Sequence, residues 1–222
     1  MPERPQRTAV DRVVQAIFED LLSGEIQLGG ILNEAALADR FAVSRGPVRE
    51  AVKQLQGRGI VRKEAYLKAR VVALSLPEMI EIFQLREAVE GMAVRLATRA
   101  MSDGDLDVLL AAFAEARAAG RPVDLDLHVR LAEGSGNARI RALLCDELYY
   151  LLRLYRARSV DQPGRREDAF EEHWQILRAM RARDADLAES LMRAHIGRAT
   201  RSLQDLLASR DAAARPQPRR TA

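Results

Sequence analysis

The sequence predicts a mainly α fold in two parts, an N-terminal winged helix-turn-helix (α with a small β-wing) and a C-terminal all-α antiparallel helical bundle. Three observations predict it. Apolar residues recur at helical spacing through most of the chain, and aromatics are only 5% of it, which suits helices packed through Leu, Ala and Val. Two short β-branched or apolar runs, Ile60 to Arg62 and Arg70 to Ala73, lie together near the end of the first third, and no segment after Pro77 alternates like a strand. Charge also divides the chain: residues 1–75 carry 12 Lys+Arg against 9 Asp+Glu, residues 76–208 carry 19 against 22, and residues 209–222 carry 4 against 1. A basic front and an acidic middle point to two domains, of which only the first meets a polyanion. The expected division is 1–74, 75–208 and a disordered tail at 209–222.

The remaining composition sets outer bounds. A chain of 222 residues, 48% hydrophobic and 30% charged, has the make-up of an ordinary cored protein. It has no run of about 18 apolar residues for a membrane span, and MPERPQRTAV lacks the apolar centre of a secretory signal. The expected location is the cytoplasm, with no membrane partner. A lone Cys145 forms no internal disulfide and is expected to be a small buried hydrophobe.

In the front part, Val10, Val13, Val14, Ile17, Phe18, Leu21 and Leu22 follow i, i+3, i+4 spacing, and Gly24 stops that helix. After Gly29 and Gly30, NEAALADRFAVSRGPVREAVKQLQGRG splits into two short helices around AVS, with Asn33 and Ser44 as caps. Leu37 and Phe41 on one and Val48, Val52 and Leu55 on the other give the pair a shared core, a helix-turn-helix pattern. On the second helix, Arg45, Arg49 and Lys53 form a stripe about 110° from the apolar one. Gly46 and Pro47 carry no long side chain, so this helix start can approach a phosphate or a groove edge. Taken alone the stripe also fits a solvated basic face. The two β runs then form the wing, with Lys63, Lys68 and Arg70 placed to contact phosphates or the minor groove.

The stretch LNEAALADRFAVSRGPVREAVKQLQGRGIV, above all SRGPVREA, resembles the winged-helix domain of the GntR family of bacterial transcription regulators. That resemblance implies binding to double-stranded operator DNA through Ser44, Arg45, Gly46 and Arg49, with Arg45 and Arg49 reading bases; Lys53 and Lys68 are added from their charge and position. The chain departs from the family pattern at LGG, where a proline usually precedes the glycine, and at KARVV, where many wings have a glycine.

In the rear part, Ser75 stands three residues before Glu78 with Pro77 in the first turn, a helix start, and that helix can run to about Met101. SDGD restarts another, and AAGRPVD, EGSGN, RSVDQPGRRED and RARDAD mark further breaks, giving about six antiparallel helices. The three histidines of the chain fall within this part. Asp124 and His128, four apart, share a helix face. His173 and His195 are each 11 residues from Asp184, which lies at the turn between their helices. In an antiparallel hairpin these positions face each other, roughly 16 Å down both helices. Three imidazoles and a carboxylate suit zinc, nickel or manganese; histidines satisfied within a core are the alternative these spacings leave open.

LREAVE, then DLDLHVRLAEGSGN, then EEHWQILRAMRARDADLAESLMRAH, resembles the FCD ligand-binding domain of the FadR subfamily of GntR regulators, over nearly all of residues 76–208. The resemblance implies an all-helical bundle holding a divalent metal ion (Zn, Ni or Mn) through Asp124, His128, His173 and His195. Water or a small carboxylate effector would complete the metal shell. Arg86 and Arg153 are candidate clamps for that acid, or else surface or inter-helix salt bridges; Asn137 lines the same pocket or caps the next helix.

The expected function is a ligand-responsive, homodimeric DNA-binding repressor and not an enzyme. One alternative is a repressor for which the metal itself is the signal. A metal-dependent hydrolase with Glu172 or Asp126 as general base is another, although no H-E-x-x-H pattern fixes a base beside the metal.

Overall fold

Helix α1 (Ala9–Ser23) opens on a reciprocal capping box: the Thr8 hydroxyl accepts from Asp11 N at 3.1 Å, and the Asp11 carboxylate accepts from Thr8 N at 3.0 Å. It closes on Gly24 at φ 86°, a conformation that a residue without Cβ adopts freely. Its apolar stripe, Val13, Val14, Ile17, Phe18 and Leu21, is buried. Helix α2 (Glu34–Arg40) is capped by Asn33, whose side-chain oxygen accepts from Ala35 N and Ala36 N at 3.1 and 3.3 Å.

Helix α3 (Arg45–Gly57) starts after Ser44, but the Ser44 hydroxyl makes no capping bond, contrary to the role expected of it. A cap side chain bonds the N–H of the second or third helical residue; the third here is Pro47, which has none, and the N–H of the second, Gly46, is not taken up by the hydroxyl. Between α2 and α3 the chain turns through Ala42 at φ 52°, with Val43 N bonded to Ala38 O at 3.0 Å.

The computed structural model describes residues 8–63, 67–73, 75–119, 126–159 and 164–214. The wing is shorter than the sequence runs suggest: β1 (Val61–Arg62) pairs antiparallel with β2 (Arg70–Val71), Val61 opposite Val71 and Arg62 opposite Arg70. The LGG loop joins it. Val71 N donates to Gly30 O at 2.8 Å, and Ile31 bridges to Arg70. A Cβ on Gly30 would lie 2.8 Å from Gln27 O, so the loop closes this tightly only on glycine.

The helices that follow the wing are α4 (Leu76–Ala100), α5 (Asp103–Ala118), α6 (Leu127–Gly134), α7 (Ala138–Arg141), α8 (Tyr149–Ser159), α9 (Arg165–Arg181) and α10 (Ala185–Ala214), with a π-helical stretch over Ala142–Glu147. Ser75 caps α4, its hydroxyl accepting from Glu78 N at 3.3 Å. Helix α10 packs along α4 and α9, α4 also holds α6, and α5 lies against α9. Helix α10 continues past residue 208, where the tail was expected to begin. Ala212 to Ala214 favour the helix. Among the described residues no helix is long and apolar enough to cross a membrane.

The chain forms two compact units, Met1–Leu74 with Asp146–Ala157, and Ser75–Cys145 with Arg158–Ala222. The main segment of the first unit ends at Leu74 and the second unit begins at Ser75. The segment Asp146–Ala157, expected in the rear bundle, belongs to the front unit. Leu154 is buried in the core that α1, α2, α3 and the wing share, with Tyr150 and Leu151 packed against it. Tyr150 meets Phe18 edge to face at 4.6 Å between centroids, and Arg58 lies 4.6 Å from the Tyr150 ring. In the rear unit, Ala93, Ala132, Ile140 and Leu144 form a core cluster against which Cys145 is half-buried.

Two stability outcomes follow. Leu154→Ala opens a cavity in the front core, and urea titration of the full chain should show a loss of roughly 2–5 kcal/mol; a loss under 1 kcal/mol would mean that α8 does not complete that core. Ala42→Gly removes a left-handed alanine from the turn and should raise stability by about 1 kcal/mol, read as a higher Tm.

Candidate functional site

The front unit presents a basic helix face. Val48, Ala51, Val52 and Leu55 bury one side of α3, which leaves Arg45, Arg49 and Lys53 exposed on another. Gly46 and the uncapped Ser44 stand at the helix start, and Lys68 is exposed beside β2. The helix N-terminus adds its own partial positive charge there. Two of these cations already have partners: Arg49 lies 3.5 Å from Glu34, and Lys53 lies 3.4 Å from Glu50. On the wing, Lys63 reaches Glu34 at 2.9 Å and Arg70 donates to Gly29 O at 2.5 Å. Exposed pairs of this kind are worth about 0–1 kcal/mol each, so a phosphate can displace them.

In the rear unit the hairpin of α9 and α10 turns at Arg183, φ 61°, with Asp184 capping the second helix by accepting from Leu187 N at 3.0 Å. Equal distance from that turn brings His173 Nε2 to 3.2 Å from His195 Nε2. Helix α6 delivers His128, whose ring centre is 5.1 Å from that of His173 and 5.3 Å from that of His195. Phe113 on α5 walls the cluster, 6.0 Å from His173. One candidate ligand atom from each histidine can be chosen so that all three lie within 4.8 Å of one another. Two donors on one ion with bonds near 2.1 Å can stand no further apart than roughly 4.2 Å, so small ring rotations suffice to close the set. The donor chemistry also fits: burial, reinforced by the nearby His128 and Arg86, holds His195 down at about 4 despite its bond to Glu172, so its ring is neutral at pH 7 and keeps a lone pair. Asp124, the carboxylate expected to join them, lies outside the described residues.

Two carboxylates hold the rings: Glu90, which the sequence reading did not assign to the cluster, and Glu172, which it considered only as a general base. Glu90 on α4 accepts from His128 Nδ1 and forms an ion pair with Arg86, one turn back on the same helix. Arg86 and Glu90 are only 1% and 2% exposed, and Arg86 Nη2 stands 3.4 and 3.5 Å from the two ring nitrogens of His128. Glu172 accepts from His195 Nδ1 at 2.5 Å, from Arg198 Nε at 2.5 Å and from Arg165 Nη2 at 3.2 Å. Burial pushes the Glu172 carboxyl up, but His195, Arg198 and Arg165 outweigh it and hold it at about 2. The Arg86 and Glu90 pair was visible in LREAVE as an i, i+4 spacing; the reach of each carboxylate to a histidine on another helix had no local signal.

Of the three residues expected to grip an effector, Arg86 stands beside the histidines. Asn137 caps α7, its oxygen accepting from Arg139 N and Ile140 N at 3.0 and 3.2 Å. Arg153 lies in the front unit, 5.3 Å from the Phe18 ring and 5.6 Å from that of Tyr149. The two carboxylates considered as general bases have other work: Asp126 caps α6, and Glu172 is held ionised between two arginines and an imidazole.

Comparison with known proteins adds independent findings. Residues 9–65 match the model for bacterial regulatory proteins of the gntR family, and residues 81–198 match the FCD domain. The chain is 30% identical over 193 residues to the HTH-type transcriptional repressor GlaR of Escherichia coli K12, covering 80% of this chain and 87% of that protein. It is 29% identical over 175 residues to the Nta operon transcriptional regulator of Aminobacter aminovorans, covering 76% and 81%. Among solved structures, E. coli McbR/YncC superposes with a TM-score of 0.72 at 19% identity over 90% of this chain and 99% of that one. A transcriptional regulator from Rhodococcus sp. RHA1 gives 0.71 at 20% identity over 88% and 97%. At those identities the structural likeness establishes the fold alone.

Proposed function

Because this chain belongs to the GntR family of bacterial regulators and carries an FCD domain behind its winged helix, we propose that it is a transcriptional repressor whose operator binding responds to what fills the histidine cluster. The observation that carries the DNA-binding part is the outward stripe of Arg45, Arg49 and Lys53 on a helix whose opposite side seals the front core. Arg45 and Arg49 are the base readers, each able to bond a guanine in the major groove. Ser44, Gly46 and the α3 N-terminus take a phosphate, and Lys53 and Lys68 add backbone contacts. One short recognition helix covers too few base pairs for useful specificity. The working form is therefore a homodimer on a pseudo-palindromic site.

His128, His173 and His195, with Asp124, would hold a divalent zinc, nickel or manganese ion. A bound ion would supply a Lewis-acidic anchor for a small carboxylate, and Arg86 would face the same ligand from α4. For the ligand to act, it must favour one disposition of the DNA-binding units over another, by about 1–3 kcal/mol in a typical regulator. One observation favours a second reading, in which the metal alone is the signal: Arg86, the expected clamp for an organic acid, is already neutralised by Glu90.

On a duplex selected by the wild-type protein, Arg45→Ala and Arg49→Ala should each weaken binding by about 1–3 kcal/mol, roughly 5- to 150-fold, and relax base preference. Lys53→Ala should weaken all duplexes alike and lower the salt slope by about 1. Equal losses for the arginine variants on selected and random duplexes would assign them to phosphates instead.

Elemental analysis of untagged protein purified without chelator should find about one divalent ion per chain, and little in a His128→Ala/His173→Ala variant. Operator affinity is then measured with metal alone and with metal plus small carboxylic acids. A shift of roughly 5- to 150-fold appearing only with the acid supports the organic effector, and the same shift with metal alone supports the metal-sensing reading. No metal, with the double variant still folded, removes both.

A further inference from the structure

Glu34 is the first residue of α2, directly after the capping Asn33, and its two oxygens serve two other elements of the front unit. Oε2 lies 3.5 Å from Arg49 Nε on α3, and Oε1 accepts from Lys63 Nζ at 2.9 Å, one residue past β1. One carboxylate therefore links α2, the helix that carries the basic stripe, and the wing. Both partners belong to the exposed cations of this face, and the carboxylate is more enclosed than either: its side chain is 23% exposed, against 66% for Arg49 and 43% for Lys63. Arg45 and Lys68 are exposed on the same unit and have no ion pair among the described residues.

The atom that Glu34 engages matters. A guanidinium carries one N–H at Nε and a fork of donors at Nη1 and Nη2. Contact at Nε leaves the fork of Arg49 for another acceptor, and no hydrogen bond among the described residues occupies it. Guanine O6 and N7 are uncharged acceptors that such a fork fits, so Arg49 can take them end-on without leaving Glu34. A backbone phosphate is a different partner. Drawing Arg49 or Lys63 onto it takes a cation from Glu34 and leaves a carboxylate facing the polyanion.

We infer that Glu34 is a positioning residue for sequence discrimination, holding Arg49 by Nε so that its fork meets a base edge and restraining Arg49 and Lys63 from phosphates of any sequence. The inference rests on the DNA-binding reading above and needs neither a metal ion nor an effector. Its two effects differ in what they change. Restraint of Lys63 lowers affinity for every duplex alike, whereas the hold on Arg49 raises the selected duplex above the rest.

The full-length chain is titrated with the selected duplex and with a random one across a salt series. Glu34→Ala should tighten binding to the random duplex several-fold and steepen its salt slope by about 1 to 2, as two cations become free for phosphates. The ratio of selected to random affinity should fall about tenfold, within the roughly 5- to 150-fold that one bidentate base contact carries. Glu34→Gln keeps the shape of the side chain and an accepting oxygen, which guards against loss of the α2 start; it should tighten random binding as Ala does and lower the ratio less.

A double-mutant cycle separates this role from a structural one. With Arg49 already replaced, Glu34→Ala should change the ratio by less than about twofold, while beside Arg45→Ala it should still lower the ratio about tenfold. An unchanged ratio in both Glu34 variants, or a tenfold fall that survives removal of Arg49, would overturn the inference. Loss of discrimination in Arg49→Ala beside an unaffected Glu34→Ala sinks this inference and leaves the DNA-binding reading standing. A wild-type chain that selects no duplex removes both.

Discussion

Burying the Arg86 guanidinium inside a helical bundle carries a desolvation cost of several kcal/mol that only a close, hydrogen-bonded anion offsets. Glu90, one turn along α4, is that anion, and the pair is almost sealed from solvent. Much of the rear unit's chemistry depends on this local pairing. It makes the cluster tolerable to a cation, and it hands Glu90's second oxygen to His128 on α6, tying α4 to α6. On the far side Glu172 repeats the device from α9, joined to His195 and Arg198 on α10 and to Arg165 on its own helix. Three imidazoles thus meet between two carboxylates whose own charges are balanced by arginines.

How much of this was legible in the sequence follows from the range of each interaction. The front unit was readable almost element by element because its signals are local: Gly24 ends α1, Asn33 caps α2, and the apolar stripes of α1 and α3 match the buried residues. The convergence of His173 and His195 was readable because a hairpin converts equal sequence distance from Asp184 into spatial proximity. Carboxylate partners across helices obey no such rule. Glu90 was one charged residue among many in an acidic stretch, and Glu172 was considered only as a general base; their hold on the histidine rings is selected by packing.

Two further departures have separate origins, one local and one tertiary. Ser44 looked like a cap from its type, yet one of the two donors it could use is lost to Pro47, three residues on, and its hydroxyl makes no cap bond. The segment Asp146–Ala157 looked like another helix of the rear bundle because its own pattern is helical and apolar. Which core receives Leu154 is a tertiary choice, and nothing in LLRLYRARS states it. Arg153 went with it, from a candidate effector clamp to a cation beside Phe18.

Charge around the cluster limits what ligand can complete it. Arg86, Arg165 and Arg198 bring three positive charges, and Glu90 and Glu172 bring two negative ones. Addition of Asp124 as a ligand would bring these six groups to neutrality. A divalent ion would then leave two uncompensated positive charges in a largely buried site, and histidines contribute none to cancel them. Hydroxide or water alone balances this poorly, whereas an organic acid carrying one or two carboxylates offsets the excess and supplies the oxygen donors that four protein ligands leave wanting in an octahedral shell. The pairing of Arg86 with Glu90 therefore does not argue only for a metal-alone signal. On the metal reading proposed above, the charge that would draw an acid into the site comes from the ion and not from the arginine, and acid binding would then be conditional on metal occupancy.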